Sequence, residues 1–151
     1  MASTAVSQLI FFIAGLVVAS VVVGVMLSST TNLADGIEGR SSSLADSLRS
    51  DVRIINDPVA MPYNATNQTL TLYVLNSGTI SLPATNATLR AFVNGTFAAN
   101  TTVYIVGGGS WGPQGIAIIE VHGLALTSGT DMLVTVVAAH GATDRLEFVA
   151  P

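Results

Sequence analysis

The hydrophobic rhythm of this chain changes twice. From Leu9 to Leu27 every position is apolar or small, with no charge, no proline and no amide side chain. As a helix rising 1.5 Å per residue, that stretch spans roughly 28 Å, close to the ~30 Å hydrocarbon thickness of a bilayer. A single span in lipid must satisfy its backbone internally, so it must be helical. Leu9, Phe12, Leu16, Val23 and Leu27 are its candidate anchor residues. Gly15 and Ala19 stand four apart, as do Ser20 and Gly24, a spacing that lets a second helix approach closely. Such pairs also arise by chance in any Gly/Ala-rich span.

The second rhythm runs from Ser28 to Ser50. Leu33, Ile37, Leu44 and Leu48 recur at helical spacing and form one narrow stripe. Asp35, Glu38, Arg40, Asp46 and Arg49 lie between them, so the spacing predicts an amphipathic stalk that continues the helix into water. The stripe suits either a neighbouring helix or the chain's own domain. Gly36 and Gly39 each cost about 1 kcal/mol against Ala, so the stalk is weak unless packed.

At Asp51 the period becomes two. Strands are predicted at Asp51–Asn56, Leu70–Leu75, Leu89–Val93, Thr101–Val106, Ile116–Val121, Leu133–Ala139 and Arg145–Val149, with Ile80–Leu82 as a short edge candidate. Asn94-Gly95 is a strong hairpin signal because both residues tolerate positive φ. In the last strand Leu146 and Phe148 are expected to face in, with Arg145 and Glu147 facing out. Seven or eight short strands with frequent turns read as an immunoglobulin-like antiparallel β-sandwich. The expected organisation is α+β overall: a transmembrane anchor over 1–28, a helical stalk over 29–50 and an all-β sandwich over 51–151.

A secretory signal has a basic leader and a core of ~7–15 apolar residues. Here Met1 to Gln8 carries no Lys or Arg and the apolar run is longer, so an uncleaved anchor is the favoured reading, although Ser28-Ser29 resembles a cleavage site. No basic residue plus glycine precedes the run, as processed archaeal pilins require. Burial of the run inside a soluble domain is disfavoured, because a chain of this size has too little else to cover it on all sides.

The chain has no Cys, which removes disulfides, thiol catalysis and zinc–thiolate sites together. Its basic residues are scattered at Arg40, Arg49, Arg53, Arg90 and Arg145, so no basic track exists for a nucleic acid. Charge scarcely sets orientation, but Asn-x-Thr triplets do speak to it. They occur at Asn64, Asn67, Asn86, Asn94 and Asn100, candidate N-glycan acceptors that favour an exported domain with a short inside tail. The same triplets also arise from the turn and strand composition of an Asn- and Thr-rich β protein.

Gly107-Gly-Gly-Ser-Trp-Gly112 matches both G-x-G-x-x-G and G-x-S-x-G. Each motif needs a helix to begin there, and Pro113, Gly115 and another strand follow instead, so neither nucleotide binding nor a nucleophile elbow is expected. Ser110, Trp111 and Pro113 then form a candidate partner loop, since Trp is enriched at interface hot spots. The competing reading has Trp111 folding back over the end of the sandwich. His122 and His140 lack ligand spacing, and the carboxylates are spread singly. The residues call for no cofactor, no metal and no catalysis.

The uncharged opening Ala2-Ser-Thr-Ala-Val-Ser-Gln-Leu-Ile-Phe-Phe-Ile-Ala14 leads into the serine-rich stalk. Asp51-Val-Arg-Ile-Ile-Asn-Asp-Pro58, Met61-Pro-Tyr63, Leu70-Thr-Leu-Tyr-Val-Leu-Asn-Ser-Gly78 and Ser110-Trp-Gly-Pro113 follow. This resembles the FlaG family, accessory proteins of the archaellum, most specifically through the helix and first two strands and more thinly after Ala117. The resemblance implies one span in an archaeal membrane and a β domain in the pseudo-periplasm. It also implies a stationary part of the rotary motor that works with the related FlaF and the S-layer protein, as a homo- or hetero-oligomer. The rival reading is a pilin- or archaellin-like filament subunit with a helical core and a β-sandwich head. A surface receptor or enzyme with a ligand pocket is a third.

Overall fold

One helix, α1 (Ala2–Arg49), makes up the front of the chain. The structure, a computed structural model, describes residues 2–151; Met1, the first residue of the expected anchor, lies outside the described residues. No proline precedes Pro58, so nothing interrupts the backbone ladder, and Gly36 and Gly39 leave the helix unbroken. Hydroxyls inside it fold back on the backbone: Ser20 Oγ donates to Leu16 O at 2.8 Å and Thr30 Oγ1 to Met26 O at 2.9 Å. Every large apolar side chain from Val6 to Leu27 is more than half exposed. By length and composition α1 is able to cross a membrane.

The chain divides into two compact units, Met1–Ser42 and Ser43–Pro151, so the last two turns of α1 belong with the β domain. That domain contains β1 (Val52–Ile54), β2 (Tyr63–Asn64), β3 (Thr69–Asn76), β4 (Arg90–Val93), β5 (Thr96–Phe97), β6 (Thr101–Ile105), β7 (Ile116–His122), β8 (Asp131–Val137) and β9 (Thr143–Val149). One antiparallel sheet has the order β1-β3-β7-β6, with β2 also on β3; the other has the order β5-β4-β8-β9. Taking β1, β3, β4, β6, β7, β8 and β9 as strands A to G gives the A-B-E-D and C-F-G sheets of an immunoglobulin-type sandwich, with β5 added beside C.

Alternation explains the packing. Leu70, Leu72 and Val74 of β3 face in and are fully buried, while Thr71 and Tyr73 face out. Ala117, Ile119 and Val121 from β7 join them, and Ala91, Val93, Val134, Val136 and Phe148 come from the other sheet. Among the described residues, the buried hydrophobic core contains no side chain of α1.

The strand pattern departs from expectation in three places. Ile80–Leu82 forms no strand, because Leu82 makes only an isolated bridge to Trp111. The two-residue strands β2 and β5 are additional; neither is long enough to show a period. The predicted Leu133–Ala139 strand is shifted to Asp131–Val137, because Ala139–Gly141 forms a tight turn with His140 at φ 57°. The Asn94-Gly95 hairpin forms with both residues at positive φ, 48° and 77°.

Replacing Leu72 with Ala removes a fully buried side chain between the sheets. It should lower the stability of the sandwich by about 2–5 kcal/mol. Thermal unfolding should show the β signal melting earlier while the helical signal persists, since α1 contributes nothing to that core.

Candidate functional site at the helix–sandwich junction

Two strand connections, the loop after β3 and the turn between β8 and β9, hold the last turn of α1 and the residues just after it. Thr79 N donates to Arg49 O at 2.9 Å, satisfying a carbonyl that the helix terminus would leave orphaned. Gly78 N donates to Asp51 O at 3.0 Å, and Ser77 Oγ to the Asp51 carboxylate at 2.8 Å. On the other sheet, Ser47 Oγ donates to His140 O at 3.0 Å. Ser50, itself buried, turns its hydroxyl back onto Asp46 O at 2.6 Å. The Asn76-Ser77-Gly78 turn therefore clasps the helix end. A Cβ at Gly78 would collide with Arg49 O and would stand 2.7 Å from Asp51 N.

Asn76 sits under that clasp with no exposed surface. It takes the inward β3 position that the alternation would give to an apolar residue. Its Nδ2 donates to Ile80 O at 2.9 Å and Trp111 O at 3.0 Å, and its Oδ1 accepts from Gly78 N at 3.0 Å. One buried amide thus ties β3, the following loop and the Trp111 loop together.

Trp111 itself is fully buried, and its Nε1 donates to Gly115 O at 3.0 Å. The partner-loop expectation is corrected at this residue, because its ring seals the junction end of the core and offers nothing to a partner. Ser110 and Pro113 stay exposed on either side. No helix follows Gly107–Gly109; β7 does.

The other singled-out residues fall into three places. Leu9, Phe12, Leu16, Val23 and Leu27, with the small residues Gly15, Ala19, Ser20 and Gly24, are exposed along α1, as are Leu33, Ile37, Leu44 and Leu48. The five sequon asparagines are all exposed, and strand register places them at the end of the sandwich opposite the junction. Asn94 is tied down, with Oδ1 accepting from Leu133 N and Nδ2 donating to Met132 Sδ, and Asn86 Nδ2 donates to Thr101 O. Asn64 uses only its Oδ1, which accepts from Thr66 N and Asn67 N, so its Nδ2 is left unengaged.

On the outer face, His122 bridges Thr69 and Thr102 across three strands at 3.2 and 3.0 Å. Desolvation and a hydrogen bond to Glu120 raise the Tyr104 phenol above its ordinary pKa, and its hydroxyl donates to Glu120 Oε1 at 3.1 Å. Among the described residues, no three His, Asp or Glu side chains converge as metal ligands. An open groove of about 480 Å³ lies between Val59, Met132 and Phe148.

A profile of archaeal-type flagellin matches residues 2–148. The chain belongs to the archaeal-type flagellin family. Flagella-related protein G of Methanocaldococcus jannaschii is 32% identical over 111 residues, covering 73% of this chain and 72% of that protein. The Methanococcus voltae protein G is 31% identical over 110 residues, covering 73% of each. The resemblance to FlaG therefore holds within this family. In fold, the archaeal flagellum of Methanospirillum hungatei matches at a TM-score of 0.71 and 16% identity, over 96% of this chain and 93% of that one. The archaellum periplasmic stator protein FlaG of Sulfolobus acidocaldarius gives a TM-score of 0.47 at 18% identity, over 66% of this chain.

For this family member, Gly78→Ala should destabilise the sandwich by roughly 1–3 kcal/mol, because the overlap is with backbone that cannot rotate away. Limited proteolysis should show faster cutting between α1 and β1. Trp111→Ala should cost about 3–5 kcal/mol in thermal unfolding. An unchanged melting temperature would return Trp111 to the surface.

Proposed function

We propose that this protein is a membrane-anchored, extracytoplasmic and non-enzymatic component of the archaellum motor, part of the stator that links the motor to the cell envelope. The carrying observation is the clasp: an apolar helix exposed on every side continues without a break into a turn gripped by both sheets. A lone helix in a bilayer diffuses laterally and resists no torque. A head that grips the helix end and docks on a fixed lattice does resist it. The likeness to the G proteins supports this assignment, and a FlaF-like protein and the S-layer protein are the partners it calls for. The helix positions Gly15, Ala19, Ser20, Gly24, Leu33, Ile37, Leu44 and Leu48 are proposed contacts for a second helix. Asn64, Asn67 and Asn100 are the proposed N-glycan carriers.

A second reading is favoured by one observation. The fold match to the archaeal flagellum of M. hungatei runs through the helix as well as the head, as a filament subunit would require. Shearing separates the two. A stator component stays with sheared membranes, keeps its original N-terminus, and on cross-linking brings down FlaF-like and S-layer proteins. Recovery in the sheared filament fraction, with a mature end cut within the first ten residues, would sink the stator reading.

A further inference from the structure

The chain passes from α1 straight into β1, so tension on the helix enters the head through the residues that follow Arg49. Those residues are tied down more heavily than a three-residue strand requires. Asp51 O accepts from Gly78 N at 3.0 Å, and the Asp51 carboxylate accepts from Ser77 Oγ at 2.8 Å. β1 pairs with β3 from Val52 opposite Asn76 to Ile54 opposite Val74, and Ile55 N continues the ladder onto Tyr73 O at 3.0 Å. Asn56, which is buried, then takes over with its side chain. Its Nδ2 donates to Thr71 O at 2.9 Å and its Oδ1 accepts from Tyr73 N at 2.7 Å. The amide imitates one more strand residue where the backbone leaves for the turn at Pro58 and Val59.

The second sheet adds a tie of its own. Alternation along β9 places Asp144, Leu146 and Phe148 on the inward side. The acid stands where a core residue would, and its carboxylate accepts from Ile54 N at 2.7 Å. That N–H points away from β3, so the bond joins β1 to the other sheet. Val52 and Ile54 are themselves buried, and a slip of one residue along β3 would turn both outward.

Direction decides what these bonds can do. β1 runs from the α1 end of the sandwich toward the loop between β7 and β8, antiparallel to β3 and so parallel to β7. The bonds of an antiparallel ladder lie across the strands. Tension along β1 loads them together, whereas tension across it opens them one after another. We propose that residues 51–56 are a shear lock: they keep the head intact when α1 is pulled, and Asn56 and Asp144 are the side chains that stop β1 from slipping on β3. The lock is built within the head, and it holds for a stator part and a filament subunit alike.

The chain has no Cys, so introduced thiols are unique attachment points for handles in an optical trap. Full-length protein in detergent micelles is held at constant force along two axes. One runs from Ser41→Cys on α1 to Ser128→Cys in the loop between β7 and β8, and it loads β1 lengthwise. The other runs from Ser41→Cys to Ser110→Cys in the loop before β7, at the α1 end, and it peels β1 from Asp51 onward. The head should survive at least about tenfold longer on the first axis, because its bonds there break together. Asp144→Ala and Asn56→Ala should each shorten that lifetime about tenfold or more, the effect of losing hydrogen bonds from the set that fails at once. Both should leave the second axis almost unchanged, since peeling begins before it reaches them. Asp144→Asn keeps an acceptor without the charge and should fall between Asp144→Ala and the natural chain, which covers the case in which the alanine variant does not fold. Equal lifetimes on the two axes, substitutions without effect on the first axis, or substitutions that shorten both axes alike would each overturn the proposal.

Discussion

Apolar surface on all sides of a helix has to be covered by something, and α1 is exposed at every position from Ser3 to Leu44. A side chain such as Leu9 or Phe11, left in water, forfeits roughly 1.5–3 kcal/mol relative to burial, and the stretch to Leu27 is made of little else. The cover has to come from lipid or from other helices. That requirement shapes the rest of the molecule. The head cannot borrow hydrophobic surface from the helix, so it completes its own core from two sheets. The helix cannot afford unmasked polar groups, so Ser20, Thr30 and Thr31 turn their hydroxyls onto carbonyls one turn back.

The connection between the two parts is polar. A few backbone bonds and one buried amide hold the last turn of α1 to the loops between the strands. Asn76 is an expensive choice for a core position, since a fully buried amide costs free energy unless it is satisfied. Here it is, by bonds to two carbonyls and one N–H, and no unsatisfied buried side-chain atom remains among the described residues. An apolar residue at that place would fill the volume and leave the turn at Gly78 and the Trp111 loop unlinked.

Much of the architecture was legible from period alone. The helix, the long strands and the inward face of β9 follow from where apolar residues recur, and the Asn94-Gly95 turn follows from its chemistry. What was not legible depends on distant partners. Trp111 sits in a glycine-rich loop that reads as exposed; only the bridge to Leu82 and the hidden hydrogen bond to Gly115 draw it inside. Asn76 and Gly78 read as an ordinary turn, because the helix end they grip is a non-local neighbour. The one available hint was a polar residue at the fourth inward position of β3, after Leu70, Leu72 and Val74.

The first charged side chain in α1 is Asp35. The uncharged length ahead of it is about 50 Å of helix, well beyond the ~30 Å of a bilayer's interior. In a bilayer, no charged side chain would therefore pin a particular turn of this length at a headgroup layer. The insertion depth of such a span would have soft limits, set by the hydroxyl-rich turns from Ser28 to Asn32. A pull along the helix axis would meet a sliding bearing before it met a stop, giving the protein axial play that a charged collar at Ser28 would remove.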